Sequence, residues 1–151
     1  MDRAVKTGRR RGHAKGRKKR IRAPAVPQPR VLVIDDNPAF LRSLARLLQL
    51  YGIDVATASD GRKGLAAFRK ISPAVVLTDI DMPLQDGIST IIAMRRERPA
   101  VKILAMSGGA RFGKSDARII AKKLGADSVL EKPFDIERLM AAIRRYLKSG
   151  S

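Results

Sequence analysis

Apolar residues along the chain form short unbroken runs that alternate with longer amphipathic segments. The first run, Val31 to Ile34, is apolar at every position, as expected for a parallel strand that is buried on both faces. The segment after it repeats leucine at helical spacing from Leu41 to Leu48, and Asn37-Pro38 supplies a suitable N-cap and first helical residue. The same alternation continues along the chain, and it predicts five strands and five helices.

Gly, Pro and Asp residues between these segments indicate where the elements begin and end. The predicted strands cover residues 31–34, 53–57, 74–78, 101–106 and 128–130, and the predicted helices run over about 37–52, 60–68, 87–97, 115–124 and 135–148. Five consecutive β–α units favour a parallel sheet with right-handed crossovers. We therefore predict one α/β domain over residues 30–151, a doubly wound five-stranded parallel sheet of flavodoxin-like order 2-1-3-4-5 with helices on both faces.

Polar and charged residues follow four of the predicted strands at their carboxyl ends. They are Asp35 and Asp36 after strand one, Asp79 after strand three, Ser107 after strand four and Lys132 after strand five. In doubly wound sheets, ligands bind outside this edge, at the point where the strand order reverses. The fold and the candidate chemistry therefore point to the same place.

Three carboxylates, those of Asp35, Asp36 and Asp79, converge if strands one and three are neighbours. Two such charges about 5 Å apart repel each other by roughly 3 kcal/mol at an effective dielectric constant near 20. The cluster must therefore become protonated or hold a cation, and oxygen ligands without His or Cys suit Mg²⁺. A carboxylate beside Mg²⁺, with the Ser107 hydroxyl and the Lys132 ammonium facing it, is equipped to accept a phosphoryl group.

These residues lie in motifs whose order and spacing resemble the receiver domain of two-component response regulators, over residues 30–147. The motifs are Val-Leu-Val-Ile-Asp35-Asp36-Asn-Pro, Leu-Thr-Asp79-Ile-Asp-Met82-Pro83-Leu-Gln-Asp86-Gly87, Met-Ser107-Gly-Gly and Glu-Lys132-Pro133-Phe134. The resemblance implies that Asp79 is the phosphoacceptor and one of the Mg²⁺ ligands. It also implies that Asp36 binds Mg²⁺ directly, that Asp35 binds it through water, and that the Asp81 backbone carbonyl completes the site. We expect the Asp81 side chain to be exposed.

The same resemblance implies roles for the polar residues after the last two strands. Ser107 would donate a hydrogen bond to the phosphoryl group, Lys132 would pair with it, and the Lys132–Pro133 bond would be cis. The sequence departs from the family pattern at Val129, where an aromatic residue often reports phosphorylation. The usual aromatic switch is therefore in doubt for this chain.

Simpler interpretations apply to several of these residues when they are taken one at a time. The pair Asp35-Asp36 could cap a helix, and Lys132 could be a solvated lysine. Their joint occurrence at strand ends disfavours both interpretations. We interpret Asp86-Gly87 as turn chemistry and the lone His13 as a solvated residue.

A phosphate-loop pattern, G-x-x-x-x-G-K-[ST], occurs from Gly108 to Ser115 between a predicted strand and a predicted helix. It supports an alternative function as a nucleotide binder. Only 36 residues follow Ser115, whereas folds with this loop normally build most of their sheet after it. We therefore favour a glycine-rich loop beside the phosphorylation site.

The first thirty residues carry much of the basic charge. They contain twelve Lys or Arg and one acid, a net charge of +11 out of +18 for the whole chain. They lack apolar periodicity and end in Pro24, Pro27 and Pro29, so we predict a disordered tail over residues 1–29. Such a tail could contact nucleic-acid phosphates weakly and without sequence preference, which is a second alternative function. Two other interpretations fit the sequence equally well: a solvated tail without a function, and a true start codon further downstream.

Composition limits the cellular setting and the partners. The absence of cysteine excludes a disulfide framework and suits the cytoplasm, and the apolar runs are too short to span a membrane.

The expected phosphodonor is a histidine kinase or a histidine phosphotransfer protein. We therefore predict a signalling protein rather than an enzyme, one that catalyses only its own phosphoryl transfer. Because the chain ends soon after the last predicted helix, we expect output through the tail, through another phosphotransfer protein, or through a protein partner on the helix 4–strand 5–helix 5 face. That face carries Lys122, Lys123, Arg138, Arg144 and Arg145.

Overall fold

Five strands alternate with five helices in the computed structural model, which describes residues 30–82, 86–109 and 114–149. The strands are β1 (Val31–Ile34), β2 (Val55–Ala58), β3 (Val75–Asp79), β4 (Lys102–Ser107) and β5 (Ser128–Glu131). The helices are α1 (Pro38–Leu50), α2 (Gly61–Ile71), α3 (Asp86–Glu97), α4 (Lys114–Leu124) and α5 (Ile136–Ser149). The predicted tail over residues 1–29 lies outside the described residues.

The strands form one parallel sheet in the order β2-β1-β3-β4-β5, which confirms the predicted topology. Strand order reverses between β1 and β3, because the chain moves outward to β2 first and then crosses to the other side of β1. The carboxyl ends of β1 and β3 therefore lie side by side, since Ile34 pairs with Thr78.

Alternate residues of each central strand pack into two separate cores. On one side, Val31 and Val33 belong to a core that also contains apolar residues of α1 and α5. On the other side, Leu32 and Ile34 belong to a core that also contains residues of α2, α3 and α4. All four residues of β1 are fully buried, which explains why this strand is apolar at every position.

Side-chain caps hold the amino ends of three helices close to the carboxyl edge of the sheet. Asn37 accepts hydrogen bonds from the backbone N–H groups of the second and third residues of α1, both at 3.1 Å. Asp60 caps α2 at 2.7 Å, and Asp135 accepts from the Arg138 N–H at 2.8 Å. Because each helix begins next to the end of a strand, the loops between them converge above this edge.

Among the described residues, no helix combines the length and apolar character that a membrane span requires.

Candidate functional site

Strand register brings the sequence-predicted site residues together at the carboxyl edge of the sheet. Ile34 on β1 is aligned with Thr78 on β3, and Asp35 and Asp79 are the residues that follow them. The two aspartates are therefore neighbours at the ends of adjacent strands. Asp79 aligns with Met106, which places Ser107 one step further along β4. Lys132 follows the end of β5, and its backbone N–H donates to the Ser107 carbonyl at 2.7 Å.

The side chain of Lys132 reaches back across this edge to the two buried carboxylates. Its Nζ donates to Asp35 Oδ2 at 2.6 Å and lies 3.5 Å from Asp79 Oδ2. Asp35 is fully buried and Asp79 is 6% exposed, whereas 23% of the Lys132 side chain remains exposed. The ammonium therefore bonds mainly to Asp35.

Two aromatic rings position this ammonium. Lys132 Nζ lies 4.2 Å from the centroid of the Phe40 ring, a distance that allows a cation–π interaction. The Phe40 ring makes an edge contact with Phe134, with centroids 6.2 Å apart and ring planes at 79°. The Lys132–Pro133 bond is cis, as the resemblance implied. Phe40 lies on the first helix, and the sequence analysis did not identify its role.

The carboxylate of Asp79 is held in an environment that disfavours its charged form. Burial raises the pKa of Asp79 above its ordinary value of 3.8. The backbone N–H of Asp81, which donates to Asp79 Oδ1 at 2.9 Å, and the Lys132 charge lower this pKa, whereas the charges of Asp35 and Asp81 raise it. The net effect is an upward shift, so a nearby cation would stabilise the ionised form.

Three carboxylates are close enough to share one cation. Asp35, Asp36 and Asp79 each offer an oxygen, and these oxygens all lie within 4.8 Å of one another. Asp36 is exposed, whereas the other two are buried, so the group is open to solvent on one side. An all-oxygen donor set with an open side fits Mg²⁺, which keeps several of its water ligands in proteins.

Ser107 and Asp81 interact in a way that the sequence analysis did not anticipate. The prediction that the Asp81 side chain is exposed is wrong, because it is only partly exposed and turns toward β4. Asp81 Oδ2 accepts hydrogen bonds from Ser107 Oγ at 3.1 Å and from the Gly108 N–H at 2.6 Å. A polar loop residue pairs with whichever donors the loop path brings near, and hydrophobic periodicity does not encode that path.

The glycine of the Asp86-Gly87 pair allows α3 to approach the backbone of Asp79 closely. A Cβ atom on Gly87 would lie 2.2 Å from the Asp79 carbonyl oxygen and 2.7 Å from Ile80 Cα. Both are backbone atoms, so a larger residue would force the end of β3 to move. Gly87 lies within α3, so its structural requirement is this close approach.

Some sequence predictions fall partly or wholly outside the described residues. Residues 110–113 of the Gly108–Ser115 pattern lie outside them, as do His13 and Pro83. The pattern does lie between β4 and α4, as a phosphate loop requires, but only β5 and α5 follow it in the described fold. Val129, at the position where an aromatic residue was expected, is half-buried and packs against the core on the α2–α4 side.

Comparison with known proteins gives a family match that includes both β1 and β5. Residues 31–144 match the response regulator receiver domain family. Transcriptional regulatory protein PrrA of Mycobacterium tuberculosis is 37% identical over 123 residues, which are 82% of this chain and 52% of PrrA. The DNA-binding dual master transcriptional regulator RpaA of Synechocystis is 34% identical over 120 residues, which are 80% of this chain and 49% of RpaA. The chain thus spans about half the length of these curated relatives.

Solved structures give the same result at the level of the fold. The receiver domain of Francisella response regulator 1452 superposes with a TM-score of 0.73 at 28% identity, covering 82% of this chain and 99% of that domain. A response regulator receiver domain from Clostridium thermocellum gives a TM-score of 0.73 at 31% identity, covering 80% of this chain and 94% of the other. These matches do not favour the nucleotide-binding or tail-driven alternatives. The chain belongs to the response regulator receiver domain family of two-component signalling systems, whose members are signalling proteins rather than enzymes.

Proposed function

We propose that this protein accepts a phosphoryl group on Asp79 and that the resulting change at the carboxyl edge of the sheet signals to a partner. The observation that carries the proposal is the position of the Asp79 carboxylate. It lies within 4.8 Å of ligand oxygens from Asp35 and Asp36 and 3.5 Å from the Lys132 ammonium. A nucleophilic carboxylate with an ammonium on one side and acidic ligands for a divalent cation on the other has the groups that phosphoryl transfer requires.

In the transfer step, an oxygen of Asp79 forms a bond to phosphorus. The bond between phosphorus and a histidine nitrogen of the donor breaks, and its electron pair returns to the imidazole, which takes up a proton. Lys132 would exchange its bond with Asp35 for the phosphoryl oxygens, and the Ser107 hydroxyl would donate a hydrogen bond to one of them. The chain thus catalyses its own modification.

The acid cluster supports Mg²⁺ as the cofactor for this step. Asp36 would bind it directly, Asp35 through water, and Asp79 and the Asp81 backbone carbonyl would complete the protein ligands. When bound, Mg²⁺ would neutralise charge that develops on the phosphoryl oxygens. The upward pKa shift of Asp79 in the metal-free protein is consistent with a carboxylate that requires a cation beside it.

We propose a histidine kinase or a histidine phosphotransfer protein as donor, and a downstream protein on the face formed by α4, β5 and α5. A groove of about 400 Å³ lies along that face between β5 and α5, and the exposed Arg138 and Arg145 line it. A cytoplasmic location fits such partners. The donor can be identified by phosphotransfer profiling with purified histidine kinases and histidine phosphotransfer proteins: one of them should label the wild type within seconds to minutes and leave Asp79→Asn unlabelled. Transfer to neither protein from any kinase or phosphotransfer protein of the source organism would contradict the proposed donor class.

One structural observation favours a further contact between the tail and nucleic acid. Arg30, where the tail joins the fold, precedes β1 and donates to the Leu147 carbonyl near the end of α5. The last turns of the neighbouring helices bring basic residues to this same end of the domain, namely Lys70, Arg96, Lys122, Lys123 and Lys148, whereas Arg69 and Arg95 there pair with Glu97 and Asp127. The basic tail is thus attached at an end of the domain that carries further basic residues, and phosphate backbones are the complementary partner of such charge.

A further inference from the structure

The Asp81 carboxylate occupies two hydrogen-bond donors beside the phosphoacceptor. Its Oδ2 accepts from Ser107 Oγ at 3.1 Å and from the Gly108 N–H at 2.6 Å. Its Oδ1 is buried and makes no hydrogen bond to the described part of the chain. One oxygen of this carboxylate thus accepts two hydrogen bonds, while the other is buried without a partner in the described part of the chain. Leaving a buried acceptor unsatisfied costs free energy, so this arrangement of Asp81 is an unfavourable one for its Oδ1.

Neither donor can serve a second strong acceptor at the same time. A serine hydroxyl has one proton and a backbone amide has one, so each directs its proton to a single acceptor. The Ser107 hydroxyl is fixed further, because its oxygen accepts from the Gly109 N–H at 3.1 Å. A phosphoryl oxygen can therefore use the Ser107 proton only after Asp81 has released it.

Phosphorylation would also act on Asp81 through charge. Asp81 is joined to the phosphoacceptor directly, since its N–H donates to Asp79 Oδ1 at 2.9 Å. A phosphoryl group adds negative charge and strong acceptor oxygens at this point. The added charge repels the Asp81 carboxylate while the new oxygens compete for its two donors.

We infer that Asp81 is an internal competitor for the phosphoryl-binding donors, which holds Ser107 and Gly108 in the unphosphorylated arrangement until the phosphoryl group displaces it. Asp81 is thus a positioning residue that sets how readily the β4–α4 connection responds. The inference rests on the proposed function, because it assumes that an anion binds at Asp79. It adds a role for the Asp81 side chain that its backbone carbonyl does not have.

The test uses beryllofluoride, a non-covalent phosphoryl analogue, titrated at saturating Mg²⁺ and followed by the Gly108 amide resonance. Asp81→Ala should bind beryllofluoride about tenfold more tightly than the wild type, the effect of removing one charge-assisted competitor. Asp81→Asn, which keeps an acceptor oxygen without the charge, should lie between them. Asp116→Ala removes an exposed acid of α4 and is the matched control, with unchanged affinity.

Comparison in a Ser107→Ala background separates competition for donors from simple charge repulsion. If Asp81 competes for the hydroxyl, the gain from Asp81→Ala should be smaller when Ser107 is already replaced, because only the part that comes from the Gly108 N–H remains. A gain of equal size in both backgrounds, or no gain in Asp81→Ala with Mg²⁺ affinity intact, overturns the inference. If Asp81→Ala fails to fold, the Asp81→Asn series decides by the same criteria. Failure of the wild type to bind beryllofluoride at all would instead contradict the proposed function.

Discussion

The Lys132 ammonium donates to the fully buried Asp35 carboxylate at 2.6 Å, although the two residues are 97 positions apart in the chain. Lys132 follows the last strand and Asp35 follows the first, so this bond spans the carboxyl edge of the sheet from β5 to β1. Besides Lys132, Asp35 accepts the Asn37 N–H at 2.9 Å. The pair therefore links the site to the stability of the fold.

Replacing Lys132, which is 23% exposed, with methionine should lower the free energy of unfolding by about 3 kcal/mol in the absence of Mg²⁺, because a buried carboxylate loses its cationic partner. Urea unfolding in EDTA would measure this loss, and added Mg²⁺ should recover part of it. Lys63→Met breaks an exposed pair with Asp60, 3.9 Å long, and should cost less than about 0.5 kcal/mol. Equal effects of the two substitutions would show that the Lys132–Asp35 bond contributes no more than a surface pair.

The ionised Asp79 carboxylate should destabilise the metal-free protein at neutral pH, and protonation of this carboxylate at acid pH should remove that destabilisation. Burial raises the pKa of Asp79 in the folded state above the ordinary value of 3.8, which applies to the unfolded state. Between the unfolded-state pKa and the folded-state pKa, the folded state binds more protons, so the free energy of unfolding falls as pH rises through this window. Above the folded-state pKa, the whole destabilising effect of the ionised carboxylate is present. Asp79→Asn should be more stable than the wild type at pH 7 in EDTA.

The pH dependence of that difference provides the check. The advantage of Asp79→Asn should shrink as pH falls through the folded pKa of Asp79 and disappear only below pH 3.8, where the wild-type carboxyl becomes protonated in the unfolded state as well. Asp116→Asn, at an exposed site, should show no such pH-dependent gain. A wild type more stable than Asp79→Asn at pH 7 in EDTA would contradict the assigned environment.

The loss of Asp36 should weaken Mg²⁺ binding more than the loss of any acid outside the cluster. Asp36 is the exposed member of the three-carboxylate group, so its removal takes away the proposed direct ligand without opening a cavity. We expect the Mg²⁺ dissociation constant of Asp36→Ala to rise by roughly tenfold or more, as even loss of an outer-shell partner can produce. Isothermal titration would measure it. Asp54→Ala changes the same charge at the opposite end of β2, and a similar loss there would mean that net charge alone governs the binding.

Hydrophobic pattern determined most of the fold, and its failures have local causes. The predicted bounds of β1 are correct because all four residues are buried. The predicted start of β2 at Ile53 is two residues early, because the Ile53 N–H bonds back to the Leu48 carbonyl and belongs to the turn that ends α1. Helix α2 continues past Phe68 to Ile71, since Arg69 and Lys70 suit its last turn.

The candidate site was predictable in position and less so in its bonding. Residues at carboxyl ends of adjacent parallel strands must converge, so the places of Asp35, Asp79 and Ser107 followed from topology. The partners of each side chain depend on rotamers and loop paths. For that reason the sequence did not reveal that Phe40 supports Lys132 or that Asp81 turns toward Ser107.

The tail should bind duplex DNA or RNA weakly, without sequence preference and with a strong dependence on salt. If six of the twelve basic residues among residues 1–30 meet phosphates, log K should fall with log salt at a slope near −5, from about −0.9 per contact. Deleting residues 1–29 should reduce both the affinity and the slope while leaving phosphorylation of Asp79 unchanged. Unchanged binding by the truncated domain would assign the contact to the folded surface, and no binding by either protein at low salt would remove the proposal.

Intact mass after treatment with a small acyl phosphate tests the central claim most directly. The wild type, incubated with acetyl phosphate and Mg²⁺, should gain the mass of one phosphoryl group, about 80 Da, and should lose it again on standing because acyl phosphates hydrolyse. Asp79→Asn should gain nothing under the same conditions, and EDTA should abolish the gain in the wild type. Asp116→Asn serves as the matched control and should be labelled like the wild type. Equal labelling of wild type and Asp79→Asn, or no labelling of the wild type with Mg²⁺ bound, would contradict Asp79 as the phosphoacceptor.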